Sequence, residues 1–210
     1  MIYVLLPAYN EEESIKRLFK KIDDFFKKDL NKAYKIIICD DGSTDKTLSE
    51  IRRFEYKYPI EILIHKINRG LGETMRDLIE LAAELSNPSD IIIRMDCDDT
   101  HEPQYIKSML SKINEGYDVV IASRFQKGGG QKGLSLYRRI LSRTANLCMK
   151  LVFPIKNVKE YSCGFRAYKA SIIKKAIGFY GNNFQQLKGL GFTSTLEKLV
   201  KLKELGADEL

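Results

Sequence analysis

Short runs of apolar residues alternate along this chain with longer stretches in which apolar residues recur every three or four positions. The runs fall at 2–6, 34–39, 60–65, 90–95 and 117–123, and each is too short to span a membrane as a helix. The stretches between them have the period of helices with one buried face. Strands that alternate with helices at intervals of about 30 residues predict βαβ units, and therefore an α/β fold with a mostly parallel central sheet flanked by helices.

Polar clusters follow four of the predicted strands, at 7–11, 40–41, 68–72 and 96–99. Parallel strands place their carboxyl ends at one edge of a sheet, and ligands of such sheets bind beyond that edge. We therefore expect the four clusters to form one crevice rather than four unrelated turns.

The run at 90–95 ends in three acids, Asp96, Asp98 and Asp99. Clustered carboxylates repel one another unless a positive charge lies between them. Oxygen ligands favour Mg²⁺ or Mn²⁺, which keep several waters and bridge to substrate phosphates. The stretch therefore predicts a divalent cation site, and the alternative is a solvated acidic loop in which Thr100 caps the following helix.

Composition narrows the class of protein. The 210 residues, 44% of them hydrophobic, are enough for one domain with a real core. No run of 18 apolar residues and no signal-peptide pattern occurs, so no segment is predicted to cross a membrane. The four cysteines lack the CxxC spacing of zinc sites, which indicates reduced thiols and a cytoplasmic protein.

The net charge of +7 comes from one region. Residues 119–159 hold nine basic residues and no acidic one, and without these nine, 26 of the 35 basic residues remain against 28 acidic ones. A helix is predicted there at about 134–153, with basic and apolar residues on opposite faces. This layout is typical of an interfacial helix, and an ordinary helix packed on the sheet is the alternative. The charge implies an anionic ligand: nucleotide phosphates, a membrane surface or nucleic acid.

Taken together, these residues resemble the inverting glycosyltransferases of family 2, which have the GT-A (Rossmann-like) fold, and among them the polyprenyl-phosphate sugar synthases of the dolichyl-phosphate mannose synthase type. The resemblance runs from residue 7 to about residue 206. It rests on the order of six motifs: Pro-Ala-Tyr-Asn-Glu at 7–11, Asp-Asp-Gly-Ser at 40–43, Asn-Arg-Gly-Leu-Gly at 68–72, Asp-Cys-Asp-Asp at 96–99, Ala-Ser-Arg-Phe at 122–125 and Ser-Cys-Gly-Phe-Arg at 162–166.

Two departures accompany the resemblance. Thr100 stands where these synthases often have Gln. The Gln-x-x-Arg-Trp motif of processive polysaccharide synthases is absent, since the chain has no tryptophan, and this argues against polymerisation.

The resemblance implies a donor site for a nucleotide-diphosphate sugar. Pro7, Tyr9 and Glu11 would flank the base and ribose, Asp41 would accept a hydrogen bond from the base, and Arg76 would support the site. Asp96 and Asp98 would hold Mn²⁺ or Mg²⁺ against the diphosphate.

The resemblance also implies an acceptor site. Arg124, Arg138 and Ser142 would hold the acceptor phosphate, and Arg166 is a further anion-binding candidate. The expected reaction is transfer of a hexose to a polyprenyl phosphate by Asp96, Asp98, Arg124 and Arg138, without nucleic acid as a partner.

The expected organisation is one glycosyltransferase domain, 1–210, peripheral to the cytoplasmic membrane face. Residues 1–124 would form the nucleotide-sugar half, and 125–210 the acceptor half with the basic amphipathic helix. A membrane anchor on a partner or beyond residue 210 would fit this organisation.

Two alternatives remain. The same fold could glycosylate a soluble glycan or another hydroxyl acceptor, which would need a carboxylate base, and Glu160 and Glu197 are candidates. From another class, the chain could be a non-catalytic nucleotide-binding module or a phospho-receiver. The histidines, His65 and His101, have no assigned role.

Overall fold

The structure is a computed structural model that describes residues 1–126, 130, 136–187 and 191–208, with the side chains of 136–141 and 191–192 outside the described part. The strands are β1 (Ile2–Ala8), β2 (Tyr34–Asp40), β3 (Ile60–Ile64), β4 (Ile91–Arg94), β5 (Val119–Ile121) and β6 (Arg166–Lys169). The helices are α1 (Ile15–Asp24), α2 (Thr47–Phe54), α3 (Leu71–Leu85), α4 (Ile106–Asn114), α5 (Leu136–Val152), α6 (Ala170–Tyr180) and α7 (Gly191–Glu204).

The strands form one sheet in the order β3-β2-β1-β4-β6-β5. β1 to β4 are parallel, with Val4 opposite Ile36 of β2 and Ile93 of β4. β6 runs antiparallel to both of its neighbours, and Arg166 at its start is opposite Arg94 of β4 and Ile121 of β5. The carboxyl ends of β1 to β5 and the amino end of β6 therefore share one edge. The predicted mostly parallel α/β sheet is confirmed.

The central strands are continuous apolar runs, as expected for strands that helices cover on both faces of the sheet. α3 packs on β1 and β2 and contacts α6 and α7, while α4 packs on β5 and β6. In α1, the residues at the predicted helical spacing, Ile15, Leu18, Phe19 and Ile22, are all fully buried.

The apolar pattern does not predict β6 or α6. β6 has four residues, Arg-Ala-Tyr-Lys, and its first side chain is a fully buried arginine, so the strand lacks an apolar run. β5 is also shorter than predicted, with Val119–Ile121 in place of 117–123. The helix predicted at 134–153 is present as α5.

Side chains of the loops after β1 and β2 make hydrogen bonds within and between these loops. α1 begins at Ile15, and Asn10, with a φ of 56°, accepts the N–H of Thr44 at 2.9 Å through Oδ1. Asp45, two residues before the first residue of α2, accepts the N–H of Thr47 at 2.9 Å through its own Oδ1. The Asn10 contact ties the loop after β1 to the loop after β2.

Candidate active site

A cavity of about 280 Å³ opens at the carboxyl edge of the parallel strands. Its wall combines the loops after β1, β2 and β4 with the turn that begins α3, so all four polar clusters contribute to one crevice. The lining residues are Pro7, Ala8, Tyr9, Glu11, Asp41, Asn68, Gly70, Leu71, Thr74, Asp96, Cys97 and Asp98. Of the seven residues assigned to the donor site by the resemblance, six lie on this wall.

Arg76 is the donor-site candidate that lies off the cavity wall. It is in the second turn of α3, and its guanidinium donates to Glu80 Oε1 at 3.0 Å and to Asn182 Oδ1 at 3.1 Å. In this conformation Arg76 joins α3 to the turn after α6.

Asp41 is fixed by the loop that precedes α3. Its Oδ1 accepts the N–H of Arg69 at 2.9 Å, and its Oδ2 accepts the N–H of Gly70 at 2.8 Å. Gly42 makes this approach possible: its φ is 70°, and a Cβ there would lie 2.5 Å from the carbonyl carbon of Ile67. The Asp-Asp-Gly motif therefore places a carboxylate against the backbone of the next loop.

His65 contacts Asp41 on the side away from the cavity. Its Nδ1 lies 2.6 Å from Asp41 Oδ1, and its Nε2 lies 2.9 Å from Asp77 Oδ2 in α3. The sequence gives His65 no assigned role. In the sequence, the only sign that His65 lies near the site is its position at the end of an apolar run.

The three acids after β4 have different surroundings: two lie at the cavity, and the third pairs with α1. Asp96 and Asp98 line the cavity. Asp98 Oδ1 accepts the N–H and the hydroxyl of Thr100, at 3.1 and 2.7 Å, so Thr100 orients Asp98. Asp99, with a φ of 61°, turns to α1 and pairs with Lys21 at 3.0 Å and Arg17 at 3.3 Å. The positive charge beside the third acid is therefore supplied by α1.

Glu11 adds a fourth carboxylate to the cavity wall, beside Asp41, Asp96 and Asp98. Its Oε2 accepts the hydroxyl of Ser14 at 2.8 Å, and its N–H donates to Thr47 Oγ1 at 2.7 Å. Burial raises the pKa of Glu11, and the charges of Asp98, Asp45 and Asp96 raise it further, against the lowering effect of the Ser14 hydrogen bond. Negative charge is thus concentrated at this edge of the sheet.

Three side chains support the position of Asp96, those of His101, Phe165 and Arg94. The N–H of Asp96 donates to His101 Nδ1 at 3.1 Å, and the imidazole is stacked on Phe165. Burial lowers the pKa of His101, although the charges of Asp96 and Asp98 oppose this. The guanidinium of Arg94, 4% exposed, lies 3.6 Å from Asp96 Oδ1 and donates to Thr195 Oγ1 of α7 at 2.7 Å.

Arg166 does not reach the cavity. It is fully buried, and its guanidinium donates to three backbone carbonyls, those of Cys163 at 2.9 Å, Tyr161 at 2.7 Å and Thr195 at 3.1 Å. In this position Arg166 braces the segment before β6 against α7 and is not accessible to an anion.

Arg124 lies beside the same edge, after β5. It forms an ion pair with Glu160: its Nε donates to Oε1 at 2.6 Å, its Nη2 contacts the same oxygen, and its backbone N–H donates to Oε2 at 2.7 Å. Glu160 is fully buried, whereas about a third of the Arg124 side chain is exposed. The pair fixes Arg124 at the surface next to the segment that precedes β6.

In the described half of α5, three large apolar side chains are turned outward, whereas Met149 is half-buried and packs against the core. Leu147, Leu151 and Val152 are 57%, 73% and 67% exposed. Asn146 faces inward, since its amide donates to the carbonyl of Lys159 at 2.7 Å and accepts the N–H of Tyr161 at 3.0 Å. Ser142 is partly buried on α5, and the side chain of Arg138 lies outside the described residues.

No group of three or more His, Cys, Asp or Glu side chains in the described residues is arranged to enclose a metal ion. Across the same part of the chain, no helix has the length and apolar character needed to cross a membrane.

The fold and the crevice define an α/β protein with a cavity and several carboxylates at the carboxyl ends of its parallel strands. The sequence comparison is more specific: the model of the family described as glycosyl transferase family 2 matches residues 3–177, and the chain belongs to this family.

Two relatives agree with this assignment. The dolichol-phosphate mannosyltransferase of Pyrococcus furiosus is 30% identical over 96% of this chain and 53% of its own length. The undecaprenyl-phosphate 4-deoxy-4-formamido-L-arabinose transferase of Salmonella choleraesuis is 30% identical over 82% of this chain and 50% of its own. This chain thus spans about half the length of these two relatives.

A solved mannosyltransferase from Pyrobaculum calidifontis, in complex with GDP-Man and Mn²⁺, has the same fold. The TM-score is 0.62 at 16% identity, over 100% of this chain and 53% of that one. The predicted GT-A fold is therefore confirmed.

Proposed function

We propose that this chain is a metal-dependent inverting glycosyltransferase domain that moves a hexose from a nucleotide-diphosphate sugar to a polyprenyl phosphate. The observation that carries the proposal is the cavity wall, where Asp41 and the turn at 68–72 lie on one side and Asp96 and Asp98 on the other. The two relatives support the acceptor, since their names pair sugar transfer with dolichol phosphate and undecaprenyl phosphate.

The base and ribose of the donor would lie between the loops after β1 and β2. Pro7, Tyr9, Glu11 and Asp41 all line the cavity. A carboxylate offers about four lone-pair positions. The described donors to Asp41 fill three of them, which leaves one on Oδ2 for an N–H of the base.

The carboxylates fit a divalent cation. Two aspartates at the cavity, oxygen ligands only, suit Mg²⁺ or Mn²⁺, which take their remaining ligands from water and substrate phosphates. An enclosing set of three side chains is not needed for such a site. When bound, the ion would supply Lewis acidity to the leaving diphosphate. Thr100 keeps Asp98 oriented, and His101 and Arg94 do the same for Asp96.

The acceptor would enter from the side of Arg124 and α5, so that residues 1–124 hold the donor and 125–210 the acceptor. A phosphate monoester is mostly anionic near neutral pH and needs no general base to attack the sugar. Arg124, Arg138 and Ser142 would orient it, through charge-assisted hydrogen bonds. The acceptor site proposed here does not include Arg166.

A hydroxyl acceptor would require a carboxylate base, and both candidates are engaged. Glu160 accepts the side chain and the backbone N–H of Arg124. Glu197 accepts the N–H groups of Gln186 and Leu187 and pairs with Lys201 at 2.5 Å. These contacts favour the phosphate acceptor over a soluble glycan.

The outward apolar face of α5 supports a position at the cytoplasmic membrane surface. Exposed leucines beside the cationic residues Arg143, Lys150, Lys156 and Lys159 match a surface of anionic lipid. The polar face of the helix would then lie over the acceptor phosphate while the polyprenyl chain stays in the membrane.

The first test is a thermal-shift panel of nucleoside diphosphates and nucleotide sugars with Mn²⁺, Mg²⁺ or EDTA, because a ligand of the folded state raises the melting temperature. We expect one base to give a shift that EDTA removes. Asp98→Asn should abolish the metal-dependent part. Asp99→Asn, in the same loop but paired with α1, is the matched control and should keep it.

The outcomes separate the candidate functions. An EDTA-sensitive shift together with sugar transfer to a short-chain polyprenyl phosphate supports the proposal. Transfer to a soluble glycan alone would assign the acceptor to the hydroxyl class. A nucleotide shift without transfer to any acceptor would favour a non-catalytic nucleotide-binding module, and no shift with any nucleotide would overturn the proposal.

A further inference from the structure

Arg124 is held by a glutamate that is itself fully buried. Glu160 Oε1 accepts Arg124 Nε at 2.6 Å and also Nη2, and Glu160 Oε2 accepts the backbone N–H of Arg124 at 2.7 Å. In the described part of the chain no other carboxylate pairs with Arg124, and its Nη1 has no acceptor. The guanidinium is therefore fixed relative to its own backbone, and the two N–H groups of Nη1 are left for an anion.

The backbone around Glu160 is held by Asn146 of α5. Asn146 Nδ2 donates to the carbonyl of Lys159 at 2.7 Å, and its Oδ1 accepts the N–H of Tyr161 at 3.0 Å, so one amide contacts the peptide groups on both sides of Glu160. Among the described residues, no other group hydrogen-bonds to that carbonyl or to that N–H. Arg166 holds the far side of Tyr161, since its Nη2 donates to the Tyr161 carbonyl at 2.7 Å. On the Lys159 side, the backbone depends on Asn146.

We propose that Asn146 and Glu160 are positioning residues that hold Arg124 in place for the phosphate of the acceptor, so that α5 sets the affinity for the acceptor through its contact with the segment at 159–161. The inference rests on the proposed function, because Arg124 as a ligand of the acceptor phosphate is part of it. It adds two residues that the phosphate need not touch.

Glu160 has two opposite effects on an incoming phosphate. About a third of the Arg124 side chain is exposed, and an arginine that is ordered before binding loses less conformational freedom when the phosphate arrives. The carboxylate of Glu160 also neutralises part of the arginine's charge, which by itself weakens the attraction for a phosphate. Positioning and neutralisation therefore predict opposite changes in acceptor affinity when Glu160 is replaced.

The test is binding of geranyl phosphate, a short isoprenoid monophosphate, measured by calorimetry with Mn²⁺ and either UDP or GDP present. We expect Glu160→Gln to raise the Kd of geranyl phosphate at least about ten-fold, and Asn146→Ala about three-fold, since Arg166 still holds Tyr161 in the second variant. The Kd of the nucleotide should not change in either. Cys148→Ser, exposed on the same helix, is the matched control and should equal wild type.

A double-mutant cycle separates this series of contacts from a general loosening of the fold. If Asn146 acts through Glu160, Asn146→Ala should raise the Kd of geranyl phosphate in the wild-type background but not in the Glu160→Gln background. Additive effects of the two changes would show that Asn146 acts on the acceptor by another route, and would overturn the inference.

A ¹⁵N spectrum of the arginine side chains reports on Arg124 without the acceptor. In wild type we expect a slowly exchanging Nε–H signal, because this group donates to a buried carboxylate, and the Arg124→Lys variant assigns it by its absence. The signal should exchange faster or broaden in Asn146→Ala. This measurement decides the question if Glu160→Gln does not fold: an Arg124 signal that is unchanged in Asn146→Ala overturns the inference.

The outcomes distinguish the two proposals. If wild type does not bind geranyl phosphate, the proposed acceptor fails and this inference fails with it. If wild type binds and both variants keep its Kd, only the roles of Asn146 and Glu160 are wrong. Tighter binding by Glu160→Gln would show that neutralisation outweighs positioning, and would also overturn the inference.

Discussion

At the residue scale, neighbouring acids have different environments that their spacing in the sequence does not reveal. Asp98 and Asp99 are adjacent, yet one lines the cavity and the other pairs with α1. The sequence indicates a cluster of carboxylates at a strand end, and this follows from the parallel sheet. Which acid turns away depends on the left-handed backbone at Asp99 and on cations 80 residues earlier, and neither can be seen in the local pattern.

Glu11 gives a prediction for the ligand-free protein. Because burial and neighbouring acids raise its pKa in the folded state, the folded protein binds its proton more tightly than the unfolded chain. Stability therefore falls as the pH rises past the ordinary range of a glutamate, about pH 4.3. We expect Glu11→Gln to raise the melting temperature at neutral pH, and to lose this advantage at about pH 4.

The scan must be run without metal and nucleotide, since Glu11 lies on the donor wall. Glu55→Gln, at the exposed end of α2, serves as control and should not change the pH dependence. A Glu11→Gln protein that is less stable than wild type at neutral pH would show that the hydrogen bond with Ser14 outweighs the repulsion.

Gly164 gives a second prediction at this scale. A Cβ there would lie 3.0 Å from Arg94 Nη2 and 3.2 Å from Asp96 Oδ1. Gly164→Ala should displace the Arg94–Asp96 pair, lower stability by about 1–3 kcal/mol, and reduce the metal-dependent nucleotide shift. Gly178→Ala in α6, where a Cβ meets open space, should instead stabilise by about 0.5–1 kcal/mol.

Denaturant unfolding and the thermal-shift assay measure both effects in the same samples. An unchanged EDTA-sensitive shift in Gly164→Ala would show that Asp96 tolerates movement of its support.

At the element scale, helical period tells which residues share a face but not which face is turned to the sheet. The pattern of α5 is compatible with apolar packing on the sheet and with an outward apolar face. In the described half, the contacts of Asn146 with the segment before β6 decide in favour of the outward face. β6 could not be predicted at all, since its partner strands, not its composition, make it a strand.

The outward face of α5 predicts binding to anionic vesicles. We expect Leu151→Ser to weaken co-sedimentation with such vesicles roughly ten-fold, because a leucine buried in the lipid interface contributes about 1.5–3 kcal/mol. Leu151 is 73% exposed, so folding stability should not fall. Phe179→Ser, at 72% exposure on α6, is the matched control.

Binding should also weaken with added salt, which screens the contribution of the lysines. Equal losses for the two variants, or no binding by wild type, would remove the membrane from the proposal.

At the scale of the whole molecule, three buried basic side chains lie behind the cavity. Arg94, Arg166 and Lys198 are 4%, 0% and 1% exposed. They join β4, β6 and α7, and Lys198 donates at 2.8 Å to Gln185, which in turn donates to the carbonyl of Gly72 at the start of α3. α7 thus contacts both sides of the candidate site, through Thr195 and Arg94 on the Asp96 side. A lysine in an amphipathic helix is normally solvated, so the sequence gives no sign of this arrangement.

Lys198 should dominate the alkaline part of the stability profile. Burial, and then the charges of Arg94 and Arg166, lower its pKa far below the usual lysine range, so the folded protein holds a neutral amine where the unfolded chain binds a proton. Stability then rises with pH up to the ordinary lysine range, about 10.4, since the unfolded state binds more protons.

Lys198→Met removes this dependence and also the hydrogen bond with Gln185. We expect the variant to compare best with wild type at about pH 6 and to lose ground toward about pH 9, in denaturant unfolding at each pH. Lys203→Met, exposed on the same helix, should differ from wild type by the same amount throughout. A constant difference in the free energy of unfolding between Lys198→Met and wild type across this range would contradict the prediction. It would show that Lys198 stays charged in the folded protein.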